Sequence, residues 1–247
     1  SYHYLFTWLR NSAGYGFSPH TQDSGGAMRE LFQQELKGLK DGLVAIAGSV
    51  ESAMTRAVKS FNESDVNLAE EVIAQDHIID EAVKDLDERA IAILARQSPV
   101  ASDLRQVVST LRISASLERM GDLASHLAQL ARYRFPEKVA PKSIRPTFKE
   151  MGSLDLQMSQ LVVELLSNPS ESTINKIRDL DDTVDKLHAG VFETVLSEEF
   201  SNGAGTASVV DATLASRYLE RFADHAVSIS KKVLYLLTGE WDPDGDE

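Results

Sequence analysis

Apolar residues recur every three or four positions from Leu31 to Leu236, and no run of strand-like alternation interrupts them. The breaks in this period carry cap and turn chemistry. Phe61-Asn62-Glu63-Ser64-Asp65 closes a first helix and offers Ser64 or Asp65 as the cap of a second. Ser98-Pro99 pairs a capping serine with a proline at the first helical position, where its missing N–H costs nothing. Three prolines between Phe135 and Pro146 mark a domain boundary, and Thr147 with Glu150 then reads as a capping box. Asn168-Pro169-Ser170 and Ser201-Asn202-Gly203-Ala204-Gly205 supply the other breaks, and Gly239 stands where the last helix should stop. The pattern predicts helices over 31–62, 65–97, 99–133, 147–167, 171–199 and 206–238. Rods of this kind, ~45 Å long at 1.5 Å per residue and joined by short connections, build antiparallel bundles.

The two halves match. Asp76-His77-Ile78-Ile79-Asp80 aligns with Asp181-Asp182-Thr183-Val184-Asp185 at an offset of 105 residues. Leu117-Glu118-Arg119-Met120-Gly121-Asp122 aligns with Leu219-Glu220-Arg221-Phe222-Ala223-Asp224 at an offset of 102. Two matches in the same order on corresponding helices indicate an internal repeat. The expected fold class is therefore all-α, with two pseudo-symmetric antiparallel three-helix bundles. Residues 28–135 form the first, 136–146 a proline-containing linker, 147–239 the second, and 240–247 an acidic tail. Residues 1–27 lack a steady helical period and read as a fusion scar or extension ahead of Met28.

Charge narrows the choice of partners. The formal charge of −13 argues against nucleic acid, whose phosphates need clustered Lys and Arg, and against docking on anionic lipid. The longest uncharged apolar stretch in the folded part, Leu43 to Val50, is far short of the ~18 residues that a membrane span requires, so membrane insertion is not expected. With no cysteine there is neither disulfide nor thiolate metal chemistry, which suits a reducing compartment.

Each of the four matched segments carries two acids four positions apart, stacked on one helix face about 6 Å from each other. Such like-charged pairs repel, so they need a reason. One reading is an ion-pair network: the second helix holds ten acids and one lysine between Glu63 and Glu88, and Arg105, Arg112 and Arg119 make a stripe that could face it. The other is a cation site. Hard cations take several oxygens, and Glu118, Asp122, Glu220 and Asp224 flank the apolar stripes of their helices, where unpaired charge is costly. His126 and His225 stand near these positions as lesser ligand candidates. Enzymatic signatures are missing: there is no Gly-rich phosphate loop, GxSxG or HExxH, and Asp185-Lys-Leu-His188 is a single imperfect version of a di-iron motif.

The segments Leu117-Glu-Arg-Met-Gly-Asp-Leu-Ala-Ser-His and Leu219-Glu-Arg-Phe-Ala-Asp-His-Ala-Val-Ser resemble the two E-x-x-x-D motifs of the PhoU family. The resemblance spans about Met28 to Gly239 and includes the duplication, helix order and proline linker. It departs at Ser125-His126 and Val227-Ser228, where many members carry Val-Asn. It implies a non-enzymatic negative regulator of the phosphate-starvation response, coupling a phosphate ABC transporter (its ATPase subunit) to a sensor histidine kinase. Such proteins are cytoplasmic, reach the inner membrane face through protein partners and often form homodimers or larger assemblies. Some members bind multinuclear iron or zinc clusters, or another divalent cation. Carried onto this chain, that implies Glu118, Asp122, Glu220 and Asp224 as metal ligands, with Asp76, Asp80, Asp181 and Asp185 as partners from the neighbouring helices. A helical scaffold without a signalling role and a metal-dependent enzyme stand as the alternatives.

Overall fold

The computed structural model describes residues 24–240, which hold six helices and, among the described residues, no strand. They are α1 (Ser24–Glu63), α2 (Val66–Gln97), α3 (Ala101–Arg134), α4 (Arg145–Ser167), α5 (Glu171–Val195) and α6 (Glu198–Thr238). No described helix is long and apolar enough to cross a membrane. The chain divides into two compact units at Gln34. Residues 24–34 of the first unit are helical, and all structure discussed below belongs to the second. The readings of 1–23 and 241–247 lie outside the described residues, whereas 24–27 are already helical.

Local chemistry explains most helix ends. Asp65 caps α2, its side chain accepting from the backbone N–H groups of Asn67 and Leu68. Ser170 caps α5 by accepting from Thr173 N–H, and Gly239 ends α6 in the left-handed conformation with φ 75°. Three expected boundaries shift. Ser98 does not start α3: it ends α2 in the left-handed region, and extended Val100 precedes α3 without a side-chain cap. The box expected at Thr147 lies inside α4, which starts two residues earlier at Arg145, within the predicted linker, with Pro146 in its first turn. The break expected over 201–205 sits instead at Leu196-Ser197, where Ser197 caps α6 by accepting from Phe200 N–H. What the glycines leave is a kink at Gly205 (φ 79°, ψ 162°), the point from which the helix predicted from 206 runs.

The apolar stripes pack these rods together. In α1, Leu36, Leu39, Leu43, Ile46, Val50, Met54, Ala57 and Phe61 are all buried, one every three or four residues. α2 packs on α3, α5 on α6, and α4 on both α5 and α6. The two bundles meet along α3 and α6, and Phe61 of α1 packs on Phe148 of α4 with ring centroids 5.5 Å apart. Phe148, Phe222, Met120 and Leu117 are among the largest fully buried side chains, each contributing ~1.5–3 kcal/mol by its removal from water. The core therefore holds α2 against α3 and α5 against α6 at the level of the acid pairs.

Candidate metal centres

In the first half, Asp76 and Asp80 stand one turn apart on α2, and Asp122 faces them from α3. One carboxylate oxygen from each lies within 4.8 Å of the others. Gly121, beside Asp122, permits this approach: a Cβ there would stand 3.2 Å from Ile79 Cδ1 and 3.8 Å from Asp76 Oδ1. Burial first, then the charges of Asp122, Asp80 and Glu118, push Asp76 up to about 6. Burial and Asp80 likewise raise Asp122. Glu118 is outside the close cluster but beside it, raised by burial and then by Asp80 and Asp122.

The second half repeats this arrangement. Asp181 and Asp185 of α5 and Asp224 of α6 bring three carboxylate oxygens within 4.8 Å of one another. Burial, then Asp185 and Asp224, push Asp181 up to about 7. Asp224 rises to about 6 through burial and its hydrogen bond with Glu220, which also receives an ion pair from Arg217. Two further side chains converge here. His188 of α5 lies near Asp185 and Asp224; burial, then Arg217, lower its pKa, and Nδ1 is hydrogen-bonded with Ser216 Oγ. Asp155 of α4 is fully buried, and burial followed by the charges of Asp181, Asp224 and Glu220 hold its carboxyl well above the usual range.

The chemistry of these clusters is that of carboxylates short of positive charge. Arg132 pairs with Glu70, Arg56 with Glu71 and Arg134 with Asp211, all away from the clusters, whereas Arg217 pairs with Glu220 beside the second one. Asp80 Oδ1 and Asp181 Oδ1 are buried without a hydrogen-bond partner. Oxygen-only donor sets with orphaned, mutually repelling carboxylates fit a hard or borderline divalent cation, or else protons. A cation here would rest on Asp76, Asp80 and Asp122 in one half and on Asp181, Asp185 and Asp224 in the other, with Glu118 and Glu220 alongside.

Several expectations need correcting. The arginine stripe of α3 runs along α6: Arg105 lies beside Gly239, while Arg112 and Arg119 are close enough to depress Lys232. Of the two histidines, His126 sits near enough to Asp122 to lower the carboxyl's pKa, and its ring packs tilted against Tyr218 with centroids 5.3 Å apart. His225 faces Arg119, Arg221 and Lys232, and burial together with these cations pushes it down to about 4. Sequence reading missed Asp155, although an aspartate flanked by Met151 and Met158 on one apolar stripe was a visible signal. His188, one turn from Val184 and Val191, gave a similar but fainter one.

Comparison with known proteins places this geometry in context. The PhoU domain profile matches residues 43–131 and again 148–233. The chain is 35% identical over 217 residues to phosphate-specific transport system accessory protein PhoU homolog 1 of Mycobacterium leprae, covering 88% of this chain and 97% of that one. It is 36% identical over 212 residues to PhoU homolog 2 of Mycobacterium tuberculosis, covering 86% and 99%. The crystal structure of PhoU from Pseudomonas aeruginosa superposes with a TM-score of 0.79 at 30% identity, over 85% of this chain and all of that one. The phosphate transport system regulatory protein PhoU from Streptococcus pneumoniae shares the fold, with a TM-score of 0.76 at 24% identity over 85% of this chain and 99% of that one.

Proposed function

The chain belongs to the PhoU family of phosphate-transport accessory proteins, and from that premise we propose that it is a negative regulator of the phosphate-starvation response. In this reading it is an adaptor between the ATPase subunit of a high-affinity phosphate ABC transporter and a sensor histidine kinase. It works as a homodimer at the cytoplasmic face of the membrane and holds the kinase off while phosphate is plentiful.

The observation that carries the reading is the duplicated acid cluster, three carboxylate oxygens within 4.8 Å in each half. A ligand shifts a conformational equilibrium only by binding one state better than the other. Each cluster joins two helices, so Asp76, Asp80 and Asp122, or Asp181, Asp185 and Asp224, would hold a divalent cation such as iron or zinc that would favour the state in which those helices stay packed. Without it these carboxylates repel across α2 and α3, or across α5 and α6. That bias passes to whichever partner reads the helix faces. The long acidic face of α2 suits a basic partner surface, since opposite fields steer encounter and select among partners.

A phosphate-starvation reporter in phosphate-rich medium tests this directly. Deleting the gene should switch the reporter on, and returning the intact chain should silence it. The Glu118→Ala/Asp122→Ala double variant should restore silence only in part. A reporter that stays silent in the deletion strain would rule out the regulator role, and full silencing by the double variant would separate that role from the first acid cluster.

A further inference from the structure

The buried face of α4 runs Phe148, Met151, Gly152, Asp155, Met158, Ser159 and Val162. All but one of these are apolar or small enough to share a helix contact, and the exception lies in the middle. Asp155 is 0% exposed, and neither of its carboxylate oxygens has a hydrogen-bond partner. The repeat shows what the position tolerates otherwise. The PhoU domain begins at 43 in the first half and at 148 in the second, an offset of 105 residues, which is also the offset between α2 and α5. This offset superposes buried Leu43, Ile46, Met54 and Ala57 on buried Phe148, Met151, Ser159 and Val162, and sets Asp155 on Val50, which is 1% exposed. An apolar side chain thus fills this place in α1, and an acid fills it in α4.

An acid removed from water without a partner is among the costliest substitutions a packed helix face can carry. The charged groups that act on Asp155 are Asp181, Asp224 and Glu220, all acids. Another acid cannot neutralise it, and a proton relieves Asp155 alone. A cation shared among these carboxylates relieves all of them together. Asp155 is not one of the three acids of the 4.8 Å cluster, and it brings a carboxylate from a third helix, α4, which packs on both α5 and α6.

We propose that Asp155 is a metal ligand of the second-half site, making it a three-helix site for a divalent cation that fills before its two-helix counterpart in the first half. This rests on the reading of the acid clusters as cation sites. The extra oxygen adds negative charge and a buried donor, the two features that tighten carboxylate sites for hard cations. It also ties α4 to α5 and α6, so occupancy of the second site braces a whole bundle, whereas the first site braces only α2 against α3.

The test uses the full chain, stripped of metal with a chelator and titrated with Mn²⁺, a cation suited to carboxylate ligands. Free Mn²⁺ is followed by electron paramagnetic resonance. The intact protein should show a tighter and a weaker class of site. Asp155→Val, which installs the residue that α1 carries at this position, should weaken the tighter class by about 10-fold or more. Asp155→Asn, which keeps the shape and loses the charge, should do the same. Val50→Asp should tighten the weaker class. Thermal melting gives a second readout: metal-free Asp155→Val should melt higher than the intact protein, yet gain less on adding Mn²⁺. If both Asp155 variants bind Mn²⁺ as the intact chain does, the proposal is overturned while the cation-site reading stands. If the intact chain binds no Mn²⁺, the cation-site reading falls and this proposal with it.

Discussion

The two halves of this protein carry the same acids at the same helical register and surround them differently. In the first half the cluster lies between α2 and α3, where Gly121 leaves room against Ile79, and apolar Val50 lies at the position equivalent to Asp155. In the second, Ala223 replaces Gly121, His188 stands at the position equivalent to Val83, and α4 adds the buried acid Asp155. Duplication preserved the pairs on α2, α3, α5 and α6, while the packing around them diverged. If both clusters take a cation, equal acids in unequal settings should give two classes of site that differ in affinity.

The largest effect should come from emptying the third-helix core at equivalent places. Met120 and Phe222 are related by the 102-residue offset, and both are 0% exposed. Phe222→Ala should cost about 3–5 kcal/mol and Met120→Ala about 2–5 kcal/mol in chemical denaturation, through lost transfer energy and the cavity left behind. Because the halves meet along α3 and α6, both variants should lower a single shared transition. Two separate transitions, each moved by only one variant, would show that the bundles unfold independently and would weaken any account in which one half signals to the other.

An intermediate effect should appear with pH in the metal-free protein. Burial and neighbouring acids raise Asp76 and Asp224 to about 6 and Asp181 to about 7, from an ordinary 3.8. Each of these acids holds its proton more firmly folded than unfolded. Stability from them is fully present below about 4 and is lost as pH rises through the folded values. The first-half contribution should be gone by about pH 6, whereas the second continues to fall to about pH 7. Asp181→Asn should therefore remove slope between pH 6 and 7, and Asp76→Asn only below that. Denaturation midpoints across pH 4.5 to 7.5 check this, and identical profiles for both variants would break the distinction between the halves.

Much of this was legible in the chain. The 3.6-residue period revealed the helices, and the doubled motif revealed the repeat. Asp65 and Gly239 announced their caps because capping depends on residues immediately around the helix end. The failures have physical causes. Ser98-Pro99 satisfies the composition of a helix start, but two ends meet there, and the left-handed turn that terminates α2 claimed the serine. That the arginine stripe also runs along α6 was not legible, because a sequence period shows which residues share a face, not which of two neighbouring helices that face meets. Asp155 escaped because acids in helices were read as surface or as motif, although its neighbours on the stripe were methionines.

The smallest expected effect compares the two ends of the α3–α6 seam. The 102-residue offset relates Ser116 to Tyr218 and His126 to Ser228, so the pairs Ser116/Ser228 and His126/Tyr218 occupy equivalent crossings. At one end the His126 ring packs tilted against Tyr218; at the other Lys232 Nζ donates to Ser116 Oγ at 2.9 Å and Ser228 Oγ at 3.1 Å. Burial, then Arg112 and Arg119, hold Lys232 below its ordinary value of 10.5. A lysine depressed in this way subtracts stability at neutral pH, and the loss is recovered as pH rises towards 10.5. Lys232→Met keeps the length of the side chain, removes the repelled charge and leaves two hydroxyls that can turn to carbonyls of their own helix. The two consequences oppose each other, so the net change at pH 7 should stay within about 1 kcal/mol. The variant should also lose part of the intact protein's gain in stability between pH 8 and 10. A loss well above that at pH 7 would mean that the lysine, and not apolar packing, holds this end of the seam, and that the two crossings are built on different principles.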